Sequence, residues 1–251
     1  NLNWELGDPN LSGGANNDLV IVTGNLTLDG LLNVTDPGTG AGFGLGVYQI
    51  FTYGGALSDN TLTVSSLPGA FTGFVQTSIT GQVNLVVTAP GVMVQDWQGG
   101  DLVGNGTNDG GSGTWDAAST NWSASPYGLN TNWQSGVAVF GGATGTVAVS
   151  GTQNFQGLQF ATNNYVLTGG ALNMGGATFV SVGVADATIN SALTGSGPLD
   201  KQGSGRLTLG GASTYTGGTT LSAGIIQVTT ATALGTGSLA MGAFRTLEAG
   251  A

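Results

Sequence analysis

The sequence has no His and no Cys, and its 251 residues include only three Lys and Arg in total. Without His and Cys, the chain cannot use Ser-His-Asp or Cys-His catalysis, zinc fingers, haem ligation or redox CxxC motifs. Three cations against 13 Asp and Glu give a net charge of −10. Such a chain cannot neutralise a run of phosphates, which excludes a nucleic-acid partner.

Long stretches without helix breakers are also missing. The longest segments without Gly or Pro, 56–67 and 114–125, have twelve residues each, and neither carries an apolar stripe at helical spacing. Isolated helices of that length are marginal in water. No apolar run approaches the roughly eighteen residues of a membrane-spanning helix, and Asn1 does not begin a basic and apolar signal segment.

Glycine and apolar residues are abundant instead. The chain has 48 Gly, 40 % hydrophobic residues and a mean hydropathy of +0.20. This apolar content is too high for a disordered chain, and the Gly residues do not recur at every third position as in collagen. Short β-branched runs end at turn residues, for example 18–23 at Gly24, 25–28 at Asp29-Gly30 and 31–35 at Asp36-Pro37-Gly38. This pattern predicts an all-β protein.

Several features favour a β-solenoid among the all-β folds. The predicted strands are mostly four to six residues long, and Gly-Gly pairs separate them, as at 169–170 and 210–211. In a solenoid each coil stacks on its neighbours because it cannot bury its apolar row alone. Like charges stacked in successive coils would repel, which accounts for the low charge.

Residues 195–240 carry the most specific motif. Its elements are Lys201, Gly203, Gly205, Leu207-Thr208-Leu209, Gly211, Thr214-Tyr215-Thr216-Gly217-Gly218-Thr219, Gly224, Val228 and Ala233-Leu234-Gly235. This string closely resembles the passenger-associated transport repeat, also called the autotransporter-associated β-strand repeat, of type V secreted proteins. Ser213 stands where the repeat usually has Asn, a departure at a turn.

The resemblance implies a right-handed parallel β-helix on the surface of a Gram-negative bacterium, either anchored at the outer membrane or released. It also implies a C-terminal outer-membrane translocator barrel in the same precursor, absent here, and a repeat that assists export and coil-by-coil folding. The absence of Cys fits a chain exported before folding. We expect N-terminal β-helix coils over 1–90, an irregular Trp-, Asp- and Gly-rich segment over 91–136, further coils over 137–194 and truncated repeat coils over 195–251.

Carboxylates offer the best candidate for chemistry. Asp96, Asp101, Asp109 and Asp116 lie in the irregular segment, and β-helix enzymes that act on polysaccharides use Asp pairs or calcium. The favoured alternative is that they form Asx-turns. We assign no catalytic, cofactor-binding or metal-binding residue and leave calcium binding by these four open.

Aromatic residues and one lysine complete the candidates. Trp97, Trp115, Trp122 and Trp133 could form a sugar-stacking platform, although core packing is favoured. Tyr48, Phe51 and Tyr53 belong to a predicted strand with one core face and an exposed ring in a stacking ladder. Lys201 is expected to form an exposed pair with Asp200 or a neighbour, of little energetic value.

The leading interpretation is therefore a structural and interaction region of an autotransporter passenger, adhesin-like and not an enzyme. Its partners would be a host-cell, matrix or glycan surface, or further copies of itself, since faces poor in charge do little to prevent self-association. The alternatives are a secreted polysaccharide-degrading β-helix enzyme and a self-associating filament or surface-layer subunit.

Overall fold

The computed structural model describes residues 1–9, 12–124, 129–183 and 186–250, and these residues form 24 strands and no helix. The all-β prediction is confirmed. No helix that could cross a membrane occurs in these ranges. The chain divides into two compact units, Asn1–Val92 and Met93–Ala251, called unit 1 and unit 2 below.

Unit 1 contains two sheets. Its strands are β1 (Leu2–Glu5), β2 (Val20–Val22), β3 (Leu26–Thr35), β4 (Gly46–Tyr53), β5 (Leu57–Ser66), β6 (Thr72–Gln76) and β7 (Gln82–Thr88). The first sheet has the order β1-β3-β5 and the second β2-β4-β7-β6. β1, β3 and β5 are parallel, as are β2 and β4, whereas β7 is antiparallel to both β4 and β6. Unit 1 therefore combines parallel pairing with one strand, β7, that pairs antiparallel on both sides.

Parallel partners in unit 1 are separated by a nearly constant step along the chain. Leu2 pairs with Leu32, Val20 with Phe51 and Leu26 with Leu57. The core collects the inward side chains of both sheets, including Leu28, Leu32 and Ile50. Because the strands are shorter than this step, much of each step consists of connecting loop.

β3 corrects one detail of the sequence analysis. The runs 25–28 and 31–35, expected to be separated by a turn, form a single strand. Gly30 has a φ of 91°, a conformation that Gly adopts without steric cost, and the pairing with β5 shifts register between Leu28 and Gly30. Gly30 therefore bends the strand instead of ending it.

Unit 2 contains the other seventeen strands, in two sheets. They are β8 (Val94–Trp97), β9 (Gly113–Trp115), β10 (Trp122–Ala124), β11 (Asn130–Thr131), β12 (Val137–Phe140), β13 (Thr146–Asn154), β14 (Gly157–Phe160), β15 (Tyr165–Met174), β16 (Thr178–Val182), β17 (Asp186–Ile189), β18 (Ala192–Gly195), β19 (Leu199–Gln202), β20 (Arg206–Leu209), β21 (Thr219–Leu221), β22 (Ile225–Val228), β23 (Leu239–Met241) and β24 (Thr246–Ala249). The first sheet has the order β11-β10-β8-β12-β14-β16-β19-β21-β23 and the second β24-β22-β20-β17-β15-β13-β9, with β18 paired to β15.

From β12 onward the chain alternates between the two sheets, except that β17 and β18 both pair with β15 in the second sheet. Each of these strands is parallel to its neighbours in the sheet. One inward column of the first sheet joins Ala138, Leu158, Val180, Lys201 and Leu221, each paired with the next. All five side chains are fully buried. Unit 2 thus repeats one layer with a nearly constant step, and this step is shorter than that of unit 1.

The first sheet of unit 2 begins with antiparallel strands. β10 pairs antiparallel with both β8 and β11, and Trp122 lies opposite Trp97. An antiparallel hairpin at the end of a parallel stack pairs backbone groups that would otherwise form an open edge. This end of the sheet carries the tryptophan cluster described below.

Candidate functional site

The four aspartates of the candidate segment have different surroundings. Asp96 lies in β8 and is fully buried. Asp101 Oδ1 accepts a hydrogen bond from the amide of Val103 at 3.0 Å. This is an Asx-turn, as the favoured alternative predicted.

The other two carboxylates are also engaged locally. Asp109 accepts hydrogen bonds from Thr107 Oγ1 at 2.8 Å and Asn105 Nδ2 at 2.9 Å. Asp116 Oδ1 accepts from the amides of Ala118 at 2.8 Å and Ser119 at 2.6 Å, and these bonds lower the pKa of its carboxyl. In the described part of the chain, no three carboxylates are grouped so that they could hold a metal ion. The geometry is that of a hydrogen-bonded loop.

The tryptophans form one contiguous cluster. Ring centroids lie 4.9 Å apart for Trp97 and Trp122, 5.0 Å for Trp115 and Trp133, and 4.5 Å for Trp122 and Trp133. Phe140 extends the cluster, 5.9 Å from both Trp115 and Trp122. Every one of these rings is buried, Trp133 being the most exposed at 6 %. The packing interpretation is confirmed, and no ring face of this cluster is open to stack on a sugar.

The aromatic residues of β4 are largely covered as well. Tyr48 is fully buried and stacks on Phe43 at 5.2 Å, and Phe51 lies 5.0 Å from Trp4. Tyr53 is half-buried and packs against the core. The ring that was expected to be exposed on this strand is thus only partly so, at Tyr53.

Residues 199–228 occupy two successive layers of unit 2. Leu199 and Lys201 of β19, Leu207 and Leu209 of β20, and Leu221 of β21 point inward and are buried. The alternation of inward and outward side chains follows from the period of two in a strand. Tyr215 is also buried, and its hydroxyl contacts Thr219 Oγ1.

Lys201 is the main correction to the sequence analysis. Its side chain is fully buried, and Nζ donates to the carbonyl oxygens of Gln202 at 2.8 Å, Gly203 at 2.8 Å and Ala223 at 3.2 Å. Burial lowers its pKa to about 7, while Asp200 acts to raise that pKa and Arg245 to lower it. The expected exposed ion pair is wrong, since among the described residues the structure has one ion pair, between Arg206 and Glu248.

Once the bounds of β19 are known, the alternation of its side chains accounts for the inward position of Lys201. Leu199 points inward, so residue 201 of the same strand must point inward too. Asp200, between them, faces outward and accepts hydrogen bonds from Ser222 Oγ and Gln202 Nε2, both at 2.5 Å. Burial raises the pKa of the Asp200 carboxyl.

The corners after β19 and β21 require glycine. Gly203 and Gly224 have φ values of 75° and 71°. A Cβ at Gly203 would lie 2.2 Å from the carbonyl oxygen of Val182, and one at Gly224 would lie 2.5 Å from that of Gly203. Successive corners therefore stack closely, and their backbone conformation places carbonyls within reach of Lys201.

Ser213 keeps the turn despite departing from the usual Asn. It is buried, accepts a hydrogen bond from the amide of Leu193 at 3.2 Å and donates to the carbonyl of Gly211 at 3.3 Å. A hydroxyl can both donate and accept, so it meets both requirements.

The comparisons with known proteins agree with this geometry. The family model named Passenger-associated-transport-repeat matches residues 199–228. The chain is 39 % identical over 252 aligned positions to a protein of Brucella suis biovar 1 (strain 1330) named "Adhesin BmaC autotransporter". The alignment covers 94 % of this chain and 7 % of that protein. No solved structure matches. The chain belongs to the autotransporter passengers that carry a passenger-associated transport repeat.

Proposed function

We propose that this chain is a structural and interaction region of an autotransporter passenger, adhesin-like, displayed on or released from the surface of a Gram-negative bacterium. The observation that carries the proposal is the 39 % identity over 94 % of the chain to a protein named as an adhesin autotransporter. Since the chain spans 7 % of that relative's length, adhesion is proposed for the region and not transferred from the whole protein.

In this proposal unit 2 is a right-handed parallel β-helix. Its support is that the chain returns to each sheet in every layer, with parallel pairing at a nearly constant step along the column from Ala138 to Leu221. Connections between parallel strands of one sheet are right-handed in about 98 % of cases, because twisted strands pack back onto the sheet that way. The four segments 1–90, 91–136, 137–194 and 195–251 remain the proposed organisation of the whole chain, with β-helix coils in 1–90 as well.

The outer face of the second sheet supports a role in binding surfaces. Thr146, Val166, Thr188 and Thr208 form an outward column on adjacent strands, each at least partly exposed. These side chains are short, β-branched and uncharged, so they form a flat strip with little charge to repel a host-cell, matrix or glycan surface.

Attachment is tested with bacteria that display the precursor with and without residues 1–251. We expect binding to host cells or matrix-coated surfaces to fall when the region is removed and the remaining passenger is still displayed. Equal binding by the two strains would show that adhesion, if any, lies elsewhere in the passenger.

The repeat is proposed to assist export and coil-by-coil folding, with the translocator of the same precursor as its partner. Its support is that residues 199–228 form two successive layers whose inward side chains, Leu199, Lys201, Leu207, Leu209, Leu221 and Ile226, are buried. Such layers can add to a growing stack one at a time, which provides a template for folding as the chain emerges.

Export is tested by deleting 195–240 from the full precursor and measuring surface display with an antibody. The matched control is deletion of 149–194, which removes a segment of equal length from the same two sheets but leaves the family match intact. We expect the first deletion to reduce display several-fold more than the second. Equal display by the two variants would contradict a special role of the repeat.

A further inference from the structure

The amine of Lys201 is enclosed by backbone carbonyls. Two acceptors, Gln202 at the end of β19 and Gly203 directly after it, lie at one corner, and the third, Ala223, lies in the corner that follows β21. An ammonium group has three N–H donors and no acceptor, so three carbonyls match its capacity. A buried carbonyl without a partner is costly, because the group loses water without gaining a hydrogen bond.

The hydrogen bonds of the Lys201 amine do not involve its charged neighbours. The Asp200 carboxylate is bonded by Ser222 and Gln202, and Arg245 Nε donates to the carbonyl of Ser222. These are the two charged groups that act on Lys201, and neither accepts from its amine. The hydrogen bonds of this lysine, which lies in a column with Val180 and Leu221, are thus made to backbone carbonyls.

We propose that Lys201 is an internal tie that joins two successive corners, and that its three carbonyls form a binding site for a primary alkylammonium group. The site is filled by the chain's own side chain. Because Ala223 belongs to the next corner, the tie forms only when both corners are in place. Residues 199–228 therefore fold as a two-layer unit, whatever surface the passenger binds.

The experiment uses chemical rescue in the full 251-residue chain. Lys201→Ala removes three methylenes and the amine, which n-propylammonium replaces atom for atom. Hydrogen exchange, followed by mass spectrometry, reports on the backbone amides of β19 to β22, with β2 to β4 as an internal reference. We expect Lys201→Ala to speed exchange by about 100-fold or more in β19 to β22, and propylammonium chloride to restore most of the protection. Sodium chloride at the same concentration should not.

Leu221→Ala is the matched control, since Leu221 pairs with Lys201 in the same fully buried column. Leu221→Ala leaves an apolar cavity, so propylammonium should not restore the protection of the backbone amides in this variant. Lys201→Met retains the apolar stem but lacks donors, and we expect it to lose protection without rescue. The proposal would be overturned by wild-type protection in Lys201→Met, by equal rescue of both alanine variants, or by a Lys201→Ala chain that propylammonium does not protect.

Discussion

Units 1 and 2 use similar strands but connect them differently. The step between parallel partners is longer in unit 1, as from Val20 to Phe51, than in unit 2, as from Leu158 to Val180. The longer step leaves loops that need their own support. In unit 1 that support comes from carboxylates. Asp8 accepts a hydrogen bond from the amide of Ala41 at 2.6 Å, and Asp36 accepts one from the amide of Phe43 at 3.0 Å.

Unit 2 closes its short steps with tight corners instead. Gly203 and Gly224 lie close against carbonyl oxygens of neighbouring corners. The buried Lys201 donates hydrogen bonds to carbonyls of two successive corners. Short regular layers therefore depend on backbone fit, whereas long layers depend on side-chain hydrogen bonds in loops. The variants below compare the two units.

The largest effects are expected from the aromatic cores. Trp122→Ala removes the centre of the tryptophan cluster and Trp4→Ala removes the ring that packs on Phe51. Each should lower the free energy of unfolding by about 3–5 kcal/mol. Hydrogen exchange should place the loss in unit 2 for Trp122→Ala and in unit 1 for Trp4→Ala. Loss of protection throughout the chain with either variant would show that the units do not fold independently.

The next largest effects are expected from glycine substitutions, and the loss should be larger at the corner of unit 2 than at the bend of β3 in unit 1. Gly203→Ala forces a Cβ to 2.2 Å from the Val182 carbonyl at a φ of 75°, and should cost about 3 kcal/mol or more. Gly30→Ala, at a φ of 91° with nothing within 4 Å, should cost only about 1–2 kcal/mol. Gly175 is exposed, with open space and no positive φ, so Gly175→Ala should be near neutral in urea denaturation. Equal losses for Gly203→Ala and Gly30→Ala would refute the close packing of the corners.

Dependence on pH just above neutrality should appear in unit 2, which contains every Lys and Arg of the chain. The pKa of Lys201 is about 7 in the folded chain against an ordinary 10.5, so between these values the unfolded chain binds more protons. Stability conferred by Lys201 should therefore increase with pH over this range, by up to about 1.4 kcal/mol per pH unit. Urea denaturation of the wild type and Lys201→Met at pH 7, 8 and 9 measures the difference. A difference that shrinks with rising pH would contradict the lowered pKa.

The smallest difference in stability between the units is expected from variants of their buried tyrosines. In unit 2 the Tyr165 hydroxyl accepts from the amide of Gly111 at 2.9 Å and lies 2.8 Å from the carbonyl of Gly141. In unit 1 the Tyr48 hydroxyl bonds the backbone of Gly44, a neighbour in the sequence. Burial raises the pKa of both, that of Tyr165 to about 12.

We expect Tyr165→Phe to cost about 1–2 kcal/mol, because it removes hydrogen bonds that join the strand to two other segments, and Tyr48→Phe to cost about 1 kcal/mol or less. Thermal unfolding gives the order of the two variants. A larger loss of stability for Tyr48→Phe than for Tyr165→Phe would show that the local hydrogen bonds of Tyr48 to Gly44 contribute more than those of Tyr165 to distant segments.

The sequence predicted strands well but strand ends poorly. Gly169 and Gly170, expected to end a strand, lie inside β15. With φ values of 80° and 25° they bend the strand between the part that pairs with β17 and the part that pairs with β18. A Gly pair permits positive φ, but the sequence does not say whether the chain then leaves the sheet.

For the candidate sites, local chemistry was predictable and burial was not. The Asx-turns at Asp101 and Asp116 follow from short-range sequence, since each carboxylate bonds amides two or three residues away. The exposed pair at Lys201 was wrong because charge suggested the surface, while the parity of β19 directs residue 201 inward. The carbonyl from the next corner could not be inferred without knowing the step between layers.

The sequence by itself determined the all-β class and the family, because turn residues, β-branched runs and the motif over 195–240 are local signals. It also determined which chemistries are impossible, since no His or Cys is present. Only the tertiary structure decided the step of each unit, the antiparallel strands of unit 1 and the burial of Lys201. These features depend on which strand lies beside which, and that pairing joins residues far apart in the sequence through backbone groups that every residue shares.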